Sequence, residues 1–123
     1  MRVNNEDLLN GNPVSLGTSA NLKAIWLGHI ANYAIQLVFT GTPNGTFKLQ
    51  ASNDEVDPRM PIAQIEAGLV NWTDIADSGQ LITAAGNHTW TVENAGYAWV
   101  RVVWTQISGT GTLTSARSYC KGF

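Results

Sequence analysis

The stretch that decides the fold is NAGYAWVRVVWTQISGTGTLT, residues 94–114. It packs two tryptophans, a tyrosine and an arginine into one extended run, then breaks into Ser-Gly-Thr-Gly-Thr. A strand with one wet face alternates apolar and polar residues. This one does not. Val100, Val102 and Trp104 fall on one face, and Tyr97, Trp99, Arg101 and Val103 on the other. One set fills a core, so the second set needs a cover of its own. Two covers are open: a neighbouring subunit, or the N-terminal arm or a long loop of the same chain. Tyr, Trp and Arg are the side chains enriched at interface anchors, and Arg101 is placed to stack on a ring or fork onto a carboxylate. Left in water, Trp99 and Val103 form a sticky patch.

Working outward, the flanking segments also read as strands. NYAIQLVFT (residues 32–40) puts Tyr33, Ile35, Leu37 and Phe39 on one face. TFKLQAS (46–52) sets Phe47, Leu49 and Ala51 against Lys48, Gln50 and Ser52. Between them GTPNG (41–45) has turn chemistry, which makes the pair an antiparallel hairpin. KAIWL (23–27), VNWTDIA (70–76), QLITA (80–84) and HTWTVE (88–93) add short strands, with Val70, Trp72 and Ile75 turned inward in the second. GTLTSARSYCKGF (111–123) is a further strand after a glycine turn. NDEVDPRMPIAQIEAG (53–68) is a long loop with a short helix over 62–67.

About eight short strands with evenly spaced turn signals predict an all-β fold. No helix is long enough for a βαβ crossover, so the expected architecture is an antiparallel two-sheet β-sandwich, jelly-roll-like. Residues 1–22, rich in Asn, Gly and Ser, read as an extended N-terminal arm, and residues 23–123 as the sandwich domain. Leu8, Leu9, Val14 and Leu16 are the arm's apolar points, and with Tyr97, Trp99, Arg101 and Val103 they form the expected contact surface.

Bulk composition narrows the function. At 123 residues the chain can hold one core without staples. Charged residues are 13% of it, against ~25% in ordinary soluble domains, so little charge keeps copies apart. The seven Lys and Arg are scattered, which argues against a nucleic-acid partner. No apolar run is long enough to span a bilayer, and MRVNNEDLLNGNPVSLG lacks the apolar middle of a signal peptide. Cys120 is the single cysteine, expected as a buried thiol. Three Asn-X-Thr triplets, at Asn44, Asn71 and Asn87, read as turn residues.

Chemistry is thin. His29 and His88 are the two histidines, and no zinc-binding, nucleophile-elbow or phosphate-loop pattern surrounds them. The expectation is no enzyme, no cofactor and no metal centre. One acidic run, Asn53, Asp54, Glu55 and Asp57, offers loop oxygens of the kind that hold calcium, without EF-hand spacing. A solvated loop tip is the plainer reading.

GTFKLQASNDE (45–55) followed by VNWTDI (70–75) resembles galactose-binding or discoidin-type jelly rolls and small bacteriophage virion proteins. The closing YAWVRVVWTQISGTGTLTSARSYCKGF (97–123) resembles the phage proteins more closely. The likeness runs from Ala34 to the C-terminus. It implies a structural component of a phage particle: a capsid decoration or cement protein, or a minor capsid, vertex or tail component. The implied partners are the major capsid protein and further copies of the chain. The rival implication is a carbohydrate- or receptor-binding module that holds a glycan with Trp26, Trp72 and the loop Asn53 to Pro61.

Overall fold

Two long strands organise the molecule. The computed structural model describes residues 3–9, 11–27, 30–93 and 95–122. In chain order the elements are β1 (Val3–Asp7), β2 (Val14–Ser15), β3 (Ala20–Asn21), β4 (Ile25–Trp26), β5 (Ile30–Ser52), α1 (Ile62–Gly68), β6 (Thr73–Asp74), β7 (Gln80–Ile82), β8 (Gly86–Val92) and β9 (Trp99–Gly122). β5 and β9 pair antiparallel along their length, from Ile30 opposite Gly122 to Ser52 opposite Trp99. β1 to β4 line the free edge of β9. β6, β7 and β8 line the free edge of β5.

The fold is all-β and antiparallel, but its strands form one nine-stranded sheet among the described residues, where two sheets were expected. The reason lies at GTPNG. It is not a hairpin turn: β5 runs straight through it, and β9 runs through Ser-Gly-Thr-Gly-Thr beside it. Gly41 faces Gly111 and Pro43 faces Gly109, with a register shift just beyond, between Asn44 and Gly45. Gly41 and Gly109 have φ of 85° and 76°, a region that favours glycine. A Cβ on Gly109 would lie 2.2 Å from the Thr42 carbonyl oxygen, and one on Gly111 2.6 Å from that of Thr40. Glycine on both strands therefore lets the ribbon bend where the backbones nearly touch.

Both halves of the ribbon feed one core. Tyr33, Ile35, Leu37 and Phe39 precede the bend, and Phe47 and Leu49 follow it. Phe47 packs 5.7 Å from Phe39 and 4.5 Å from Trp104, ring to ring. Val100, Val102 and Trp104 complete this face, as the alternation predicts.

β1, β2 and β3 lie along the sheet, each paired with β9. The N–H groups of Leu8, Leu16 and Leu22 donate to the carbonyls of Ala116, Gly111 and Val102 at 2.8–2.9 Å. Those leucines and Leu9 are buried in the core, each worth roughly 1.5–3 kcal/mol. Trp104 Nε1 donates to the Leu16 carbonyl at 3.0 Å, which ties this segment to the aromatic strand.

Candidate contact site

The second face of β9 is covered by the chain's own loop. Ile65 and Leu69 close over Trp99, which is 2% exposed, and Ala24, Val56, Trp72 and Ala98 pack around them. α1 spans Ile62–Gly68, one residue longer than the expected helix. It sits close because Gly68 has no side chain: a Cβ there would come within 2.9 Å of Val56.

Polar side chains hold the loop in place. The Asp54 carboxylate accepts from the Val70 and Asn71 N–H groups and from Asn71 Nδ2, each at 2.8 Å. These bonds, that of the Asn71 side chain foremost, hold its pKa below the usual carboxylate range. Asn53 Oδ1 accepts from Ala98 N at 2.7 Å, and Glu66 Oε1 from Ala24 N at 3.0 Å. Asp57 pairs with Arg59, while Glu55 is exposed. Of the oxygens considered for calcium, those of Asn53, Asp54 and Asp57 are thus engaged with separate protein donors. Among the described residues no three His, Cys, Asp or Glu side chains gather around a common point suited to a metal.

Arg101 extends this surface along the strand. Its guanidinium lies 4.2 Å over the Trp72 ring. Nε and Nη2 both donate to Gln50 Oε1, at 2.9 and 2.8 Å. Gln50 passes the contact on to Asp74, which also accepts from Lys48. The arginine both stacks and forks, but onto an amide carbonyl, not a carboxylate. Trp72 Nε1 donates to the Leu69 carbonyl at 3.0 Å. Trp72 is therefore committed inside the protein.

Trp26 differs. It lies directly opposite Trp99 across β4 and β9, so both project from the same face. Yet it is 39% exposed. It forms one wall of an open cleft of about 230 Å³, with Pro58, Met60 and Ile62 also on the lining and Trp99 and Ile65 beneath. Met60 and Ile62 are exposed as well. Lys23 and Glu6 form an ion pair on the cleft, and Glu66 adds a second carboxylate. Sequence reasoning named Trp26 and, within the loop Asn53 to Pro61, Met60, but missed Ile62. Two apolar residues flanking Pro61 were the available signal.

The structure redistributes the expected contact residues. Leu8, Leu9, Leu16 and Trp99 are interior to one chain, Val14 packs partly against the core, and Arg101 and Val103 are half-buried. Tyr97 precedes β9, so strand alternation does not reach it. It packs on the main core and hydrogen-bonds the buried Tyr33 hydroxyl, and burial raises both phenol pKa values. Val70, read as inward, is exposed because the strand begins only at Thr73.

His88 lies edge-on to Trp90, and its Nε2 is buried without a hydrogen-bond partner. Burial lowers its pKa and favours neutral imidazole. His29 lies outside the described residues. Cys120 is buried, and desolvation raises its thiol pKa.

No protein-family model matches the sequence, and no curated protein sequence matches it. Solved structures do match. The SPBc2 prophage-derived protein YomS overlays with a TM-score of 0.55 at 13% identity, across 97% of this chain and 92% of that one. PirA overlays at 0.49 with 12% identity, across 89% and 92%. A Bacillus endospore appendage structure overlays at 0.46 with 13% identity, across 98% and 88%. At these identities the likeness concerns the fold alone, and the prophage protein carries it over nearly the whole chain.

Proposed function

We propose that this protein is a non-enzymatic structural component of a bacteriophage particle that works by adhesion. The finer assignment is a capsid decoration, cement or minor capsid protein resident in the virion. Its proposed partners are the major capsid protein and further copies of itself.

One observation carries the reading. Trp26, Met60 and Ile62 stand exposed around a cleft whose floor and frame are fixed by buried residues and satisfied hydrogen bonds. An apolar patch with a polar rim marks a docking surface, and a rigid frame lowers the ordering cost of docking. Repeated around a symmetric shell, individually weak contacts add up to a strong hold. The overlay with a prophage-derived protein supports the phage setting.

The test is mass spectrometry of particles purified from the organism that encodes the chain. A fixed ratio to the major capsid protein, kept through gradient purification, is expected. Absence from the particles rejects the assignment. A second reading, a glycan-binding module, is favoured by the pairing of an exposed indole with nearby charged groups in one small cleft. Glycan-array binding that is lost in Trp26→Ala, together with absence from particles, selects it instead.

A further inference from the structure

We propose that two copies of this chain pair antiparallel through the outer edge of β8. The other edge strands are poor templates. β2, β3, β4 and β6 have two residues each and β7 has three. β1 carries Glu6 and Asp7. Short or charged edges resist pairing with another chain.

β8 has neither protection. It is seven residues long, GNHTWTV, with no proline and no Asp, Glu, Lys or Arg. Its inner edge pairs with Tyr33–Phe39 of β5. Among the described residues, no further strand pairs with it. Trp90 anchors it to the core and donates to the Ser78 carbonyl at 2.9 Å, while Asn87, Thr89 and Thr91 face outward and exposed.

The strand also suits itself. With Thr89 on a two-fold axis, Gly86 meets Val92, Asn87 meets Thr91 and His88 meets Trp90, and all seven residues are paired. This is the one antiparallel register that leaves none over. It sets hydroxyl and amide side chains together on the outer face, a favourable cross-strand combination. Glu93, just past the strand, falls opposite Ala85, so like charges do not meet. A net charge of −2 adds little repulsion between copies. The two-fold closes the assembly at a dimer and leaves no growing edge. This goes beyond the particle assignment: a monomer can join a particle, and the dimer can form in free solution.

Sedimentation velocity of the full chain, from micromolar to near-millimolar concentration, tests the pairing. Amide exchange under the same conditions gives the location. A concentration-dependent dimer is expected, with amides 86–92 slowed as it forms. Thr89→Lys places two ammonium groups on the axis. It should weaken the dimer about tenfold or more, with an unchanged thermal midpoint at concentrations where the chain is monomeric, because Thr89 is exposed. A chain that stays monomeric throughout overturns the proposal. So does a dimer whose β8 amides exchange as in the monomer, or one that Thr89→Lys leaves intact.

Discussion

Trp26 and Trp99 are partners across one strand pair, yet their surroundings are opposite. Trp99 lies under Ile65 and Leu69, and Trp26 stands at the rim of the cleft. Residue type and sheet face are the same for both, so neither explains the difference. The reach of the loop does. Asp54, Asn53 and Glu66 anchor residues 53–71 so that α1 covers one ring and stops beside the other. The pair teaches that an aromatic strand can be both self-covered and adhesive, with the boundary set by loop hydrogen bonds.

Substitutions sharpen this contrast. Trp99→Ala should cost about 3–5 kcal/mol, the usual range for a buried aromatic, read from chemical denaturation. Ile65→Ala removes part of the cover and should cost about 2–3 kcal/mol. It should also bring the exchange of the Trp99 indole N–H closer to that of Trp26. Equal indole exchange in the unmodified protein breaks the comparison outright.

Arg101→Lys keeps the charge but loses the planar fork and the stack on Trp72. A loss of about 1 kcal/mol is expected, measured the same way. A gentler effect comes with acid. Asp54 has a depressed folded pKa, so its contribution is present above the unfolded value and is lost as pH falls through the folded one. Amides of Val70 and Asn71 should lose protection below the ordinary aspartate range, near ~3.9. Asp54→Asn should remove that pH dependence. Trp26→Ala should cost less than Trp99→Ala, because part of its ring is already in water.

Much of this was legible in the residues, and the failures have local causes. Alternation in Tyr33–Phe39 and at Phe47 and Leu49 assigned the inward faces correctly, because period two is forced by strand geometry, whereas Ser52, set on the opposite face, is buried and Ala51 is only half-buried. The helix over 62–67 followed from the residues after Pro61. Gly41-Thr-Pro-Asn-Gly45 misled. Its glycines and proline state local backbone preferences, and a turn and a bend through a continuous strand satisfy those preferences alike. Only the matching glycines at 109 and 111, far off in sequence, tell the two apart. The contact site was half legible. The doubly apolar strand announced a second covered face, but the cover depends on Asp54 reaching Val70 and Asn71, a pairing no periodicity encodes.

The most direct test combines Trp26→Ala with Ile62→Ser and follows incorporation into purified particles by mass spectrometry, beside the thermal midpoint of the free protein. Incorporation should fall sharply while the free protein stays folded, with a cooperative transition at a moderately lowered midpoint. Undiminished incorporation would refute the adhesive role of the cleft.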